Sequence, residues 1–286
     1  MNLFKEKVAI VTGGASGIGR ALCEELGRLG AMVFVTDINA EGAQQVTSSI
    51  NSHGGRARMA CLDVTQAEDL EKLIQEVASE HGRLDYMFNN AGIGIMGEFR
   101  NMNLDHWKRV VGVNLWGVIQ GTNAAYKIMC QQGYGHIVNT ASAAGLLPGA
   151  MGTVYNTTKH AVVGLSTSLH AESAAYGVNV SVVCPGFIQT PIFKSMVSVG
   201  INKDQAAKML ASVKMMDAGK CARIIVNGVA RNKPIIPVTT LIHVFWLLYR
   251  MAPNLLINLI RKKAKKDLSL LSDPREMICD QKTTNV

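Results

Sequence analysis

Residues 7–19 read KVAIVTGGASGIG, an apolar run of strand length that passes straight into a glycine-rich turn and then into a helical pattern starting at Gly17. Gly13, Gly17 and Gly19 permit a tight turn, let the backbone approach a pyrophosphate and leave a helix N-terminus free to face negative charge. Ser16 and Ile18, on either side of Gly17, are within reach of the same ligand. The spacing is Gly-x-x-x-Gly-x-Gly, and no Lys-Ser or Lys-Thr pair follows it, which excludes a nucleotide-triphosphatase loop. Such a turn also occurs as a bare strand-to-helix connection, so the rest of the chain decides its meaning.

Five more apolar runs of strand length follow at 31–37, 56–64, 84–89, 136–140 and 178–184. Stretches of helical length and period separate them at 17–30, 41–53, 67–82, 104–131 and 155–176. Strands that are nearly continuous apolar runs suit a parallel sheet covered on both faces. The repeated β-α order predicts an α/β fold, a doubly wound, mainly parallel Rossmann sheet with helices on both faces. A helix at 218–231 and a short strand at 234–238 complete seven strands. With no linker or internal repeat, 1–238 reads as one domain, carrying a Met-rich flap at about 187–217, and 239–286 as a C-terminal helical extension.

Ligands of such sheets bind outside the carboxyl ends of the strands, and the polar residues gather there. Asp37 ends the second run, where its carboxylate can accept the ribose hydroxyls of an adenosine. A 2′-phosphate would meet like charge, and neither Ser16 nor Ile38 offers it a cation, so NAD is expected over NADP. Asp63 and Val64 close the third run, where a carboxylate and backbone can hold an adenine amino group. Asn89-Asn90-Ala91-Gly92 closes the fourth, with small residues that let the chain run beside a cofactor. Ser142 follows the fifth run, and Tyr155 and Lys159 open the next helix. Their i, i+4 spacing puts phenol and ammonium on one face, where the positive charge can stabilise a tyrosinate. Asn114 interrupts the apolar face of 104–131, as many a lone Asn does without a functional role.

Over residues 5–190 the chain resembles the short-chain dehydrogenase/reductase family. The matching residues are Thr12-Gly13-x-x-x-Gly17-x-Gly19, Asp37, Asp63, Asn89-Asn90-Ala91-Gly92, Asn114, Ser142, Tyr155-x-x-x-Lys159 and Pro185-Gly186-x-x-x-Thr190. The resemblance implies a catalytic tetrad of Asn114, Ser142, Tyr155 and Lys159, with Ser142 and Tyr155 touching the substrate. Tyr155 would exchange the proton, Ser142 polarise the substrate oxygen, Lys159 bind the nicotinamide ribose and Asn114 hold a water. It also implies cofactor contacts from Tyr155, Lys159, Pro185, Gly186, Ile188 and Thr190. A homodimer or homotetramer through the helices at 104–131 and 155–176 is expected on the same ground. The extension is loosely similar to those of hydroxysteroid and retinol dehydrogenases, in place of the Asp-Gly-Gly ending of ketoacyl reductases.

The apolar, Met-rich flap and Leu146-Leu147-Pro148 favour a lipophilic secondary alcohol or ketone as substrate. A carrier-bound 3-oxoacyl thioester is the alternative, and a cofactor-sensing or membrane-surface binding module is the non-enzymatic one.

Charge divides the chain unevenly: residues 1–200 carry 14 basic and 15 acidic side chains, residues 201–286 carry 15 and 6. No aromatic-interleaved basic groove accompanies the excess, which argues against nucleic acid. Within 241–266, Arg250, Pro253 and Asn254 break the apolar run, so a spanning helix is not expected. Two apolar helices followed by RKKAKK at 261–266 suit contact with an anionic membrane surface. Packing of Trp246, Leu247, Tyr249 and Leu256 on the protein itself is the other reading. Cys23, Cys61, Cys130, Cys184, Cys221 and Cys279 are widely spaced, with no clustered His, so free thiols and no metal site are expected. The first residues lack an apolar core and cleavage site of the secretory kind, so the expected location is cytoplasmic, with peripheral membrane contact as a variant.

Overall fold

In the first strand Ala9 and Val11 point into one apolar layer while Val8 and Ile10 point into another, and all four are buried. That double burial places β1 (Val8–Thr12) in the middle of a sheet. The computed structural model describes residues 3–271. After β1 the chain forms α1 (Gly17–Arg28), β2 (Met32–Asp37), α2 (Ala40–Ser52), β3 (Arg56–Cys61), α3 (Ala67–His81), β4 (Tyr86–Asn89) and β5 (Ile95–Gly97). Next come α4 (Leu104–Val111), α5 (Gly117–Gln132), β6 (Gly135–Thr140), α6 (Thr153–Ser173), β7 (Val178–Cys184), α7 (Ile192–Ser195) and β8 (Val197–Val199). The chain continues with α8 (Lys203–Ala211), α9 (Ala218–Ala230), β9 (Ile235–Pro237), α10 (Thr240–Met251) and α11 (Pro253–Leu271).

Seven strands form one parallel sheet in the order β3-β2-β1-β4-β6-β7-β9, the doubly wound arrangement expected from the alternating pattern. The chain runs outward from β1 to β3, returns, and runs outward again from β4 to β9. The crevice of a sheet wound this way lies between the ends of β1 and β4. One layer packs Leu22 and Leu26 of α1, Val46 of α2 and Ile225 of α9 on the sheet, and the opposite layer packs Leu70 and Ile74 of α3 and Met129 of α5.

Several boundaries differ from the sequence reading. The third strand stops at Cys61 instead of 64, because Asp63 folds back to accept the Thr65 N–H at 2.9 Å and its hydroxyl at 2.8 Å, making a turn. The fourth begins at Tyr86 instead of 84. The stretch 104–131 is not one α-helix: a π turn, Gly112–Trp116, separates α4 from α5. A small second sheet was not foreseen, in which β5 pairs in parallel with β8 of the flap.

The extension forms two helices bent by 119° at Ala252, with Pro253 in the first turn of α11, where its missing N–H is harmless. Ile242 and Trp246 of α10 pack on the cluster around Leu146 and Val182. Leu271, at the other end, is buried with Met151 and Ile201, and its carbonyl accepts the Asn202 N–H at 2.8 Å. Trp246, Tyr249 and Leu256 are thus partly buried on the protein, whereas Leu247 is exposed. Among the described residues no single helix is long and apolar enough to cross a membrane.

Candidate active site

Thr12, the last residue of β1, fixes the mouth of the crevice. Its hydroxyl oxygen accepts the N–H groups of Asn90 and Ala91 at 3.0 and 3.1 Å, and the Asn90 side-chain amide donates to the Thr12 carbonyl at 3.0 Å. The glycine turn is thereby tied to the chain leaving β4. Gly13 and Gly17 have φ of +66° and +54°, which other residues adopt at a cost, and a side chain on Gly19 would collide with the Gly13 carbonyl. Ser16 caps α1 in an extended conformation, and Asp37 accepts the Ala15 N–H at 3.0 Å and the Asn39 N–H at 2.9 Å. Two further lone-pair positions on that carboxylate stay available to a ligand.

A cavity of about 530 Å³ opens at the ends of β1, β4, β6 and β7. Gly13, Ser16, Gly17, Ile18, Gly19 and Asp37 line one end, with Asn90, Ala91 and Gly92 beside them. Pro185, Gly186, Ile188 and Thr190 form the facing wall, and Thr190 approaches Gly17 so closely that a Cβ there would lie 3.0 Å from its methyl group. Gly186 in turn leaves room for Ile242, so the start of α10 braces this wall. Ser142, Tyr155 and Lys159 line the same cavity further in.

Three expected residues do not join the walls. Asp63 is held in its turn by Thr65, Val64 is buried against the α5 residue Gly117, and Asn114 is wholly buried in the π turn. The Asn114 amide binds both main-chain polar groups of Ile93, accepting its N–H and donating to its carbonyl, each at 2.9 Å. A π turn widens the helix locally and is frequent at functional sites; here it carries Asn114, beside Gly92 and close to the Lys159 ammonium.

The Lys159 side chain is 3% exposed, and its Nζ donates to the Thr140 carbonyl at 2.8 Å and stands 5.5 Å from the centre of the Tyr155 ring. Burial pushes this ammonium down to about 8, with the nearby Cys184 opposing the shift. Burial also pushes the Tyr155 phenol up, and a hydrogen bond with Ser142 acts against it. The i, i+4 spacing predicts a lowered Tyr155 phenol; in the protein desolvation outweighs the Ser142 hydrogen bond, and the direction is up. Ser142 is itself oriented, its hydroxyl oxygen accepting the Ala144 N–H at 3.2 Å.

The rest of the cavity is apolar. Phe187 and Phe193, with rings stacked 6.1 Å apart, stand with Met96, Val113 and Met196 around the approach to Tyr155. The Met-rich flap with Met196 is expected from the sequence, whereas Phe187, Phe193, Met96 and Val113 are not, because β5, the π turn and the flap meet only in three dimensions.

A buried polar ladder supports the site from below. The Asn89 amide donates to Asn139 at 2.9 Å and to Thr122 at 3.1 Å, and Asn139 donates to Ser166 at 3.1 Å. Replacing Asn139 with alanine strands these partners, so Asn139→Ala is expected to lower stability by about 3 kcal/mol. Urea unfolding checks this; an unchanged midpoint would contradict it. Among the described residues no group of three His, Cys, Asp or Glu side chains could hold a metal ion. The described cysteines are unpaired, and Cys279 lies outside the described residues.

Comparisons with known proteins agree with this geometry. Residues 7–200 match the family model of the short chain dehydrogenases. Probable oxidoreductase EphD of Mycobacterium tuberculosis is 34% identical over 263 residues, which is 88% of this chain and 44% of that protein. The chain thus spans less than half the length of this relative. Cyclohexanol dehydrogenase of Acinetobacter sp. is 37% identical over 192 residues, 67% of this chain and 76% of the other. Among solved structures, a short chain dehydrogenase/reductase from Burkholderia phymatum in complex with NAD superposes with a TM-score of 0.80 at 29% identity, covering 88% of this chain and 95% of that one.

Proposed function

The chain belongs to the short-chain dehydrogenase family, and from that premise we propose that it oxidises a bulky, apolar secondary alcohol, or reduces the matching ketone, with NAD(H) as the redox partner. The observation that carries this reading is one cavity with a glycine cradle at one end and Ser142, Tyr155 and the buried Lys159 under an apolar approach at the other. The cradle fits a dinucleotide: side chains at Gly13, Gly17 or Gly19 would fill the space, and the first turn of α1 presents its N–H groups there. Asp37 would take the adenosine ribose, and Pro185, Gly186, Ile188 and Thr190 the nicotinamide side. When bound, the dinucleotide supplies the carbon that gives or takes hydride.

The chain's own residues do the rest. The Tyr155 hydroxyl gives a proton to the substrate oxygen in reduction and its phenolate takes one back in oxidation, and the Ser142 hydroxyl holds the same oxygen. Lys159 is fixed by Thr140 so that its charge lies beside the phenol, where it would also hold the ribose of a bound nicotinamide. Asn114, its side chain engaged by Ile93 and its position close to the Lys159 ammonium, would hold a water linking Lys159 to solvent, as the family resemblance implies. Phe187, Phe193 and Met196 exclude water and select apolar substrates.

The test is turnover with NAD⁺ across steroid, retinoid, alicyclic, short aliphatic and polar alcohols. Bulky apolar alcohols are expected to give the highest kcat/KM, and activity confined to carrier-bound 3-oxoacyl thioesters would overturn the substrate class. Asp37→Ser removes the charge that repels a 2′-phosphate, so the NAD-to-NADP ratio of kcat/KM is expected to fall at least about tenfold. An unchanged ratio would take Asp37 out of the ribose site. The reading also includes a homodimer or homotetramer through α5 and α6, which sedimentation velocity can check.

A further inference from the structure

The outer face of the extension has no covering element among the described residues. On α10, Leu241, Val244, Phe245, Leu248 and Met251 recur at helical spacing and are all exposed, Met251 by 85%. Past the bend, Leu255 and Leu259 of α11 continue the exposed apolar row at i, i+4 spacing, and Lys262 and Lys263 follow on the same side of the helix. The opposite faces are used up: Ile242 and Trp246 hold α10 to the body, and Leu271 holds the far end of α11 to the flap. The corner between the helices is therefore held out from the body by contacts at both ends.

The charge of this corner identifies what it fits. Residues 239–271 carry six basic side chains, Arg250, Arg261, Lys262, Lys263, Lys265 and Lys266, against Asp267 as the one acid. A second copy seated on the apolar row in a two-fold contact would bring two such clusters together and repel. A polar protein surface would leave Leu248, Met251 and Leu255 without an apolar partner. A surface with acyl chains beneath a layer of negative charge satisfies both. Neither helix alone is long and apolar enough to cross, and a pair bent by 119° with both ends packed on the same body suits a segment lying along the surface better than a broken span.

We propose that the corner between α10 and α11 is a docking surface for an anionic phospholipid bilayer, with Leu248, Met251 and Leu255 in the acyl boundary and Arg261, Lys262 and Lys263 among the headgroup phosphates. The site is separate from the catalytic cavity and stands whatever alcohol that cavity takes.

The full chain is mixed with vesicles of phosphatidylcholine alone or with added phosphatidylserine and sedimented. Binding is expected to the mixed vesicles, to weaken with salt, and to be slight on phosphatidylcholine. Lys262→Glu with Lys263→Glu is expected to weaken binding at least about tenfold, since each surface cation contributes a factor of about five. Met251→Gln with Leu255→Gln is expected to weaken it as well, with NAD-dependent activity on a soluble alcohol and the thermal midpoint unchanged in both pairs. Failure of the wild-type chain to sediment with the mixed vesicles would overturn the proposal, as would equal sedimentation of all three proteins. An oligomer that Met251→Gln with Leu255→Gln dissociates, with no vesicle binding, would assign the corner to a second copy instead.

Discussion

Tyr155→Phe is expected to lower kcat by about 10²–10⁴-fold, the range for loss of a positioned proton-transfer group, while the protein stays folded. Phenylalanine keeps the ring that faces Lys159 and fills the same volume, so packing of α6 is preserved. What disappears is the one atom that can exchange a proton with the substrate oxygen. Ser142 does not replace it, because an aliphatic hydroxyl neither gives nor takes a proton readily near neutrality, and its orientation through Ala144 survives the change. NAD binding, measured by fluorescence titration, should stay within about threefold of wild type, since the cradle is built from the glycine turn and Asp37. Near wild-type turnover by a folded Tyr155→Phe protein would remove Tyr155 from the chemistry.

The parts of the fold that were legible in the sequence are those with a local physical signature. Strands such as β1 and β7 are buried on both faces and so are apolar at nearly every position, which no surface segment imitates. The glycine turn was legible because Gly13 and Gly17 need positive φ and Gly19 needs close approach, and few other demands select glycine three times in seven residues. The β5–β8 pair was not legible: each strand is three residues long, and the pairing joins positions about a hundred residues apart, Ile95 to Val197. The π turn was hidden for a different reason. It adds a residue to one turn without disturbing the apolar spacing on either side, so 104–131 reads as one helix.

For the site, the grouping of Ser142, Tyr155 and Lys159 at one cavity was legible and electrical state was not. Tyr155 and Lys159 stand on one face as their spacing requires, but spacing carries no information on how deeply a face is buried. Val154, Thr158 and Val162, next to this pair on α6, are buried, and the lysine goes in with them. The extension shows the same division: Pro253 announced the break between two helices, whereas which residues face the body is set by the hydrophobic cluster around Leu146 and Val182.

Lys159→Met should separate catalysis from stability. The substitution keeps the length and apolar stem of the side chain and removes the charge beside Tyr155, so kcat/KM is expected to fall by at least about 10²-fold. Wild-type reduction should decline as pH rises through about 8, where the ammonium loses its proton, and this limb should be absent from the residual activity of the variant. The stability effect has its own pH window. Because burial holds the folded-state value near 8, below the ordinary 10.5, the folded protein carries the full desolvation penalty at pH below 8. Between about 8 and 10.5 the unfolded chain binds the extra proton, so wild-type stability gains on the variant as pH rises. Cys184, a titratable neighbour, is shifted up to about 12 and so keeps its proton in the folded protein within that window, and Tyr155 is shifted up as well. The difference in Tm, variant minus wild type, should therefore be largest below pH 8 and shrink toward 10.5. A difference that stays constant over this range would mean that Lys159 is not a desolvated ammonium, and the electrostatic account of the tetrad would fail with it.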